Sequence, residues 1–389
     1  HVVLREMLLS SGDPADPEML EESLQRIRNL GIFSRVDGVF QPTDSGKMKV
    51  LVDVEEKWTL IPLMNFGGDS GVNYYALGVV DTNTFGHYFE LGSVYINFGG
   101  THSGLFWFRD RRFNGEKIKL GADVGRLARV RTLYDEGGDE IGKFIHDRRF
   151  IKGLVLFELH PYLSVGGSVE YRSLQVKDGS LDEEEQELNK ANNVDINLTS
   201  DDMISWVDMV FGRLNSDGER QFGLVSEWSF GYSQLWQISD EVFTEVNSDT
   251  RAFILLPWRS NLGFRFKWGH TDSDKYYHQN YIGGFEGSRG YRDGRYEGRA
   301  YWVGNIEYRI PSYVSDRVII QHTVFFDSGS VAENIWDLGN NNREAFHSAG
   351  LGLRFIPPQV SVIALRIDYA KTFEDKKEEA VSFGLQQYF

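Results

Sequence analysis

The sequence predicts an all-β protein: a sixteen-stranded antiparallel transmembrane β-barrel over residues 58–389, preceded by a small α+β domain over residues 1–57. Three observations support this fold class. From Trp58 onward, apolar and polar residues alternate with the period of a β-strand. Long and short connections alternate between the strands, as in outer-membrane barrels. Aromatic residues are abundant at 14%, yet no apolar run approaches the roughly 20 residues of a transmembrane helix.

The composition excludes several kinds of site. A net charge of -16 argues against a nucleic-acid partner, which would favour a basic surface. The absence of cysteine removes thiolate chemistry and cysteine-based metal sites. The nine histidines include no HExxH motif and no compact cluster. We therefore expect no nucleic-acid partner, no metal and no cofactor.

The first 57 residues have the pattern of a small α+β domain. Asp16 followed by Pro17 is a typical helix start, because the carboxylate caps free N–H groups and proline fits the first helical position. Apolar residues then recur at helical spacing as far as Gly31: Leu20, Leu24, Ile27 and Leu30. A shorter helix precedes this one, and two strands follow near residues 32–42 and 47–57. With only one amphipathic face per element the core is small, so the domain is expected to lack its first strand.

Sixteen strands are predicted beyond the small domain. They lie near residues 58–66, 72–82, 87–98, 103–110, 115–132, 141–157, 161–176, 204–215, 218–237, 249–257, 260–271, 300–310, 317–328, 346–356, 360–371 and 380–389. A two-sheet sandwich would also alternate. However, ionised and amide groups at nearly every polar position favour a polar lumen inside an apolar outer band. The alternation is imperfect at Gly92, which indicates either a bulge or a wrongly placed strand boundary there.

The connections differ in length on the two sides of the predicted barrel. The long ones are residues 177–203, 238–248, 272–299 and 329–345, whereas proline marks short ones at Pro161, Pro257, Pro311 and Pro357–Pro358. We expect the long connections outside the cell and the short turns in the periplasm. Residues 177–203 carry nine acidic and two basic side chains, which predicts a solvated loop. A weak divalent-cation contact near lipopolysaccharide is the alternative.

One long connection contains the segment GGFEGSRGYRDGRYEG, residues 283–298. Its glycine content alone fits a solvent-exposed loop as well as a loop that folds inward. Strand parity places Asp327 and Glu307 on the inner face of neighbouring strands. Arg289 of an inward loop would therefore have two carboxylates within reach.

Several segments resemble a known superfamily. GDPADPEMLEESLQRIRNLGIFSRV and KVLVDVEEKW are similar to a POTRA domain, and DTNTFG at residues 81–86 to the first periplasmic turn of the barrel that follows it. GNIEYRIP, VFFDSG, GLGLRF and LRIDYAKTF resemble the twelfth to fifteenth strands of that barrel. The chain thus resembles the outer-membrane assembly and secretion proteins that join POTRA domains to a sixteen-stranded barrel.

The resemblance implies that residues 1–57 are a POTRA domain and that residues 272–299 are an inward-folded sixth extracellular loop. The motif of that loop corresponds here to Gly287, Ser288, Arg289, Gly290 and Tyr291. The family usually has an aliphatic residue where this chain has Ser288. Family precedent implies a contact between the arginine and the barrel wall, with Asp327 as the first partner and Glu307 as the second.

The closure of the barrel gives a further expectation. Pro62 lies in the first barrel strand, which must pair with the last strand, ending at Phe389. Proline removes a hydrogen-bond donor from a sheet. A proline at the rim of the barrel without consequence and a deliberately weak seam are equally compatible with this position. An opened seam would present strand edges to a client polypeptide.

The expected function is an outer-membrane insertase or translocase that uses its POTRA domain and barrel seam. A dedicated secretion pore for one passenger is the alternative. A hydrolase is less favoured, because the GGDSG of residues 67–71 lies in a short hairpin connection without a matching histidine and aspartate. We expect a non-enzymatic protein of the outer membrane of Gram-negative bacteria, with its POTRA domain in the periplasm. Its expected partners are outer-membrane lipid and lipopolysaccharide, an unfolded client or passenger, and periplasmic POTRA-binding proteins.

Overall fold

The computed structural model of the 389-residue chain describes all residues except 1, 70–71, 135–139, 179–180, 195, 285–286, 339–344, 361–363, 374–378 and 386–389. Its N-terminal domain contains α1 (Val2–Glu6), α2 (Pro17–Asn29), β1 (Phe33–Pro42) and β2 (Met48–Glu56). Asp16 caps α2 by accepting hydrogen bonds from the backbone N–H groups of Glu18 and Met19. The apolar face of α2 packs on the β1–β2 hairpin. None of the helices among the described residues is long and apolar enough to cross a membrane.

The prediction of a sixteen-stranded antiparallel barrel is confirmed, since in the described part of the chain sixteen strands form a closed ring and β20 pairs with β3. The strands are β3 (Leu60–Asp69), β4 (Val72–Thr84), β5 (Phe89–Phe98), β6 (Thr101–Asp110), β7 (Ile118–Tyr134), β8 (Glu140–His160), β9 (Leu163–Lys177), β10 (Thr199–Asp217), β11 (Arg220–Tyr232), β12 (Thr244–Leu255), β13 (Asn261–Thr271), β16 (Ala300–Val314), β17 (Ile319–Ala332), β18 (Ala345–Ile356), β19 (Leu365–Thr372) and β20 (Glu379–Gly384). Two short strands, β14 (Asn280–Ile282) and β15 (Tyr296–Gly298), pair with each other between β13 and β16.

The two faces of the barrel follow the predicted alternation. Ile306 and Phe326 are exposed although they lie in the middle of strands, as expected for side chains that face lipid. Asn305, Glu307 and Asp327 are buried on the opposite face. The polar face is therefore the interior of the barrel.

The N-terminal domain packs on the barrel end that carries the short turns. Tyr88, in the β4–β5 turn, is buried in the core of the N-terminal domain. Gln25 and Asn29 of α2 hydrogen bond to Ser216 and Asn215 at the end of β10. The long connections consequently lie at the other end of the barrel.

Residues 177–203 are not the purely solvated loop that their acidic composition suggested. They contain α3 (Glu183–Ala191), which begins with a capping box between Asp182 and Glu185. Asn189 of this helix is buried and hydrogen bonds to the backbone N–H and carbonyl of Lys143. The Asp-x-x-Glu spacing was visible in the sequence, but the run of acidic residues concealed it.

The structure differs from the prediction at Gly92 and at Pro311. Strand pairing continues without a break through Gly92, whose missing side chain leaves room for the ring of Trp107; the expected bulge is absent there. The register of β4 and β5 shifts instead between Asp81 and Thr84. Pro311 lies inside β16, beside a register shift, where its missing N–H is tolerated.

Candidate functional site

The connection between β13 and β16 folds into the barrel. This connection contains the short helical turn Tyr276–His278 and the β14–β15 hairpin. The motif residues Ser288, Arg289 and Tyr291 are buried inside the ring of strands. Residues 285–286 of this loop lie outside the described residues.

Arg289 contacts both carboxylates that strand parity placed on the inner face. Its Nε and Nη2 donate to Oδ2 and Oδ1 of Asp327, each at 2.8 Å, while Nη1 donates to Oε2 of Glu307 at 2.7 Å. The backbone N–H of Arg289 also donates to Asp327, at 3.0 Å. This two-point pairing uses the planar fork of the guanidinium, which a lysine cannot reproduce.

Neighbouring groups hold the three charged side chains in place. Asn305 donates to Asp327 at 2.8 Å and to the carbonyl of Gly287 at 2.9 Å. Ser348 donates to the carbonyl of Arg289 at 2.6 Å. The guanidinium carbon lies 3.4 Å from the centre of the Phe325 ring. The site therefore binds both the side chain and the backbone of the loop.

The carboxylates belong to a larger buried network. Arg309 donates to Glu307 at 2.8 Å, and Arg354 donates to Asp368 at 2.6 Å. Nη1 of Arg289 lies 3.8 Å from Asp368. Sequence reasoning missed Arg354 and Asp368, although both alternate with apolar residues in GLGLRF and LRIDYAKTF. Their inward parity was the signal that could have identified them.

Glycine permits the close passage of the motif along the barrel wall. Gly290 has a φ of 93°, and a Cβ there would lie 3.3 Å from the Cβ of Ala370 on β19. Ser288 is fully buried, and its hydroxyl has no hydrogen-bond partner among the described residues. A buried hydroxyl thus stands where the family usually has an aliphatic side chain.

An aromatic cluster extends the contact of the loop with the wall. Tyr291 meets Phe346 of β18 edge to face, and Tyr296 stacks on the same ring with centroids 4.6 Å apart. The Tyr291 hydroxyl donates to the carbonyl of His347 at 2.6 Å. These contacts place apolar area next to the ionic network.

The loop also reaches the opposite wall. Asp293 accepts hydrogen bonds from Arg131 at 2.9 Å and from Arg129 at 3.4 Å, both on β7. In the ring order, β7 lies eight strands from β17, which carries Asp327, and so lies across the lumen from it. Sequence reasoning did not identify this second attachment. The loop therefore bridges the lumen between Arg289 and Asp293.

The junction of the N-terminal domain with the barrel is ionic. Glu6 accepts hydrogen bonds from Arg112 of the β6–β7 turn at 2.8 Å and from Arg26 at 3.2 Å. Burial opposes ionisation of Glu6, but these arginines outweigh it and hold the pKa of its carboxyl below the usual range. Glu22 pairs with Arg213 at 2.6 Å, which also lowers the pKa of Glu22. A cavity of about 310 Å³ remains at this junction.

The barrel closes between β20 and β3. The described pairs run from Val381↔Gly68 to Gly384↔Asn65, and the N–H of Leu385 donates to the Met64 carbonyl at 2.9 Å. Alternate residues of a strand direct their backbone groups to the same neighbour. Because the backbone of Met64 is directed to β20, the backbone of Pro62 is directed to the same side; the described pairing with β20 ends before Pro62. Phe389 lies outside the described residues.

Comparison with known proteins identifies related sequences and folds. Residues 93–389 match a family model described as the Omp85 superfamily domain, and residues 1–57 match the POTRA model, described as a surface antigen variable number repeat. No curated protein sequence matches the chain.

Three solved structures share the fold. BamA from Haemophilus ducreyi lacking POTRA domains 1–3 is 17% identical, with a TM-score of 0.58, over 99% of this chain and 81% of that one. CdiB from Acinetobacter baumannii is 15% identical, with a TM-score of 0.59, over 98% of this chain and 70% of that one. CdiB from Escherichia coli is 9% identical, with a TM-score of 0.57, over 99% and 74%.

Proposed function

The chain belongs to the Omp85 superfamily, and from this premise we propose that it is an outer-membrane insertase that assembles client β-barrel proteins at its own seam. Its barrel lies in the bacterial outer membrane, and its POTRA domain lies in the periplasm. Membership of this superfamily supports a non-enzymatic role in inserting or translocating polypeptides. We propose residues 1–57 as the POTRA domain and residues 58–389 as the barrel, with residues 272–299 as its inward-folded sixth extracellular loop.

The observation that carries the proposal is the position of Pro62 on the seam. We propose that its missing N–H, on the side of β3 that faces β20, weakens closure of the barrel at the periplasmic part of β3, next to the POTRA domain. A strand edge with unused carbonyl groups can accept hydrogen bonds from an extended client segment. Such pairing satisfies the client backbone, which would otherwise enter the bilayer without partners. Insertion by this route needs no covalent chemistry.

The bridged lumen supports a route through the seam. The loop is attached to one wall through Arg289 and to the opposite wall through Asp293. A polypeptide passing through the lumen would have to displace both attachments, whereas one entering at the seam leaves them intact. We propose that the loop holds the barrel wall in shape while the seam opens.

The junction cavity supports delivery of clients from the periplasm. It lies between the POTRA domain and the barrel end, and is lined by residues of both, including Glu6, Arg112 and Arg213. We propose that an unfolded client is received at the POTRA domain and passes from there to the edge of β3. The POTRA domain would also be the surface for periplasmic partners.

The test is reconstitution of the purified protein in liposomes with a urea-denatured porin as client. We expect the client to become protease-resistant and heat-modifiable several times faster than in protein-free liposomes. The matched control is the protein with a disulfide across the seam. A client that folds no faster than in protein-free liposomes would contradict the insertase proposal. A polypeptide that reaches the liposome interior without inserting would identify a secretion pore instead.

A further inference from the structure

A cluster of basic side chains lies on the outer, lipid-facing surface of the barrel. Val124 of β7 pairs with Ile151 of β8, and both are exposed, which identifies this face as the one toward lipid. Arg126 of β7 is the register partner of Arg149 of β8, and each arginine is two residues from Val124 or Ile151 on its own strand. Both arginines therefore lie on the same outward face. Lys177 at the end of β9 completes the group.

The three cations converge on a single carboxylate. Nε and Nη2 of Arg126 donate to the two oxygens of Asp147 at 2.8 and 3.0 Å, and Nζ of Lys177 donates to Oδ2 at 2.9 Å. Nη2 of Arg149 lies 4.0 Å from the same oxygen. Asp147 is fully buried under these side chains, whereas Arg126, Arg149 and Lys177 are 46%, 55% and 38% exposed. One carboxylate thus positions three cations that still face outward.

The height of this basic cluster in the membrane follows from β8. Outward apolar side chains extend from Leu159 to Ile151, which is about 27 Å along a strand. At the usual tilt of about 40°, this covers roughly 20 Å of height, close to the thickness of the apolar band of such barrels. Arg149 is the next outward residue and so lies at the level of the lipid head groups.

The POTRA domain identifies the leaflet. Glu158, near the other end of β8, contacts Arg112 at 2.5 Å in the junction with the POTRA domain, which is periplasmic. The basic cluster lies further along the same strand, on the side away from the POTRA domain, and therefore faces the outer leaflet. The lipid there with several phosphates per molecule is lipopolysaccharide.

We propose that Arg126, Arg149 and Lys177 bind the phosphate groups of lipopolysaccharide against the outer surface of β7–β9. Guanidinium groups bind phosphate oxygens in pairs, and an ammonium adds a compact charge. Asp147 neutralises one of the three cations and leaves an excess of positive charge in a chain whose net charge is -16. Asp201 of β10 is the register partner of Ser173 of β9 and carries a negative charge, so the proposed phosphate site does not extend onto β10.

The test is a titration of the detergent-solubilised protein with bisphosphorylated lipid A, measured by native mass spectrometry. The variant Arg149→Gln/Lys177→Gln keeps the Arg126–Asp147 pair, and the control Arg35→Gln/Arg259→Gln removes two exposed charges elsewhere. Each basic side chain beside an anionic membrane surface contributes roughly a fivefold factor in binding, so we expect the first variant to bind about 30-fold more weakly and the control to bind unchanged. Heat-modifiable mobility of both variants checks that the barrel is folded.

Three outcomes would overturn the proposal. Equal weakening in both variants would show a general charge effect, and equal binding of dephosphorylated lipid A would show that phosphate is not recognised. Displacement of lipid A by inorganic phosphate at a similar concentration would identify a site for free anions and not for a lipid. The proposal is supported if Arg149→Gln/Lys177→Gln binds bisphosphorylated lipid A more weakly while the control variant does not, and if dephosphorylated lipid A binds neither form well.

Discussion

Replacing Arg289 with alanine tests how the loop is held in the lumen. The variant loses two hydrogen bonds to Asp327 and one to Glu307, both fully buried. Removing one partner of a buried ion pair costs about 3–5 kcal/mol, because the other charge is left without compensation. Here Glu307 keeps Arg309 and Asp327 keeps the Asn305 amide, so we expect the lower end, about 3 kcal/mol. A change of this size raises the population of the released loop about 150-fold.

The assay is hydrogen exchange of the loop backbone combined with heat-modifiable mobility on gels. In the wild-type protein the N–H of Arg289 is held by Asp327 and should exchange slowly. The matched control is Arg292→Ala, which removes a half-exposed arginine of the same loop and should change exchange little. Arg289→Lys should restore only part of the protection, because an ammonium lacks the planar fork.

A double-mutant cycle decides whether Arg289 and Asp327 act together. Each single alanine variant should release the loop, and the double variant should be much less destabilised than the sum of the two, because the same interaction is removed twice. Additive losses would refute the reasoning, as would wild-type protection of the loop in Arg289→Ala.

Three further predictions concern other parts of the chain. A cysteine at Lys190 should be labelled on intact cells and one at Trp258 should not; the reverse pattern would invert the orientation. Docking of the POTRA domain should be complete above the usual glutamate pKa of about 4.3 and weaken as pH falls through the lowered pKa values of Glu6 and Glu22, as measured by energy transfer between the POTRA domain and the barrel. Glu6→Gln should reduce this dependence and leave the part that Glu22 contributes. Asp293→Asn should raise single-channel conductance without impairing assembly, because only the attachment to Arg131 and its neighbour is weakened; unchanged conductance would show that this attachment does not close the lumen.

The sequence was most informative about features that depend only on neighbouring residues of the same strand. The period of two along each strand determines which residues face the lumen, and parity alone placed Glu307 and Asp327 there. The same reasoning could have added Arg354 and Asp368. Which inward residues meet also depends on register and on loops that cross the lumen.

Contacts between distant parts of the chain were beyond this reasoning. The pairing of Asp293 with β7 depends on which strand lies opposite β17 after the ring has closed. Asn189 of α3 is buried because it reaches the edge backbone of Lys143, which no periodicity in residues 177–203 reveals. Of the two explanations for the imperfect alternation at Gly92, the bulge was wrong, because a cross-strand tryptophan ring occupies the space of the missing side chain.

The central claim is that clients enter at the seam between β3 and β20, and the most direct measurement is insertion by a protein whose seam is locked. Phe66 and Phe383 are cross-strand partners with outward side chains, so cysteines at both positions can form a disulfide. We expect the oxidised protein to keep a folded barrel and to lose client insertion in liposomes, and the reduced protein to recover it. Equal insertion by the oxidised and reduced forms would contradict the account.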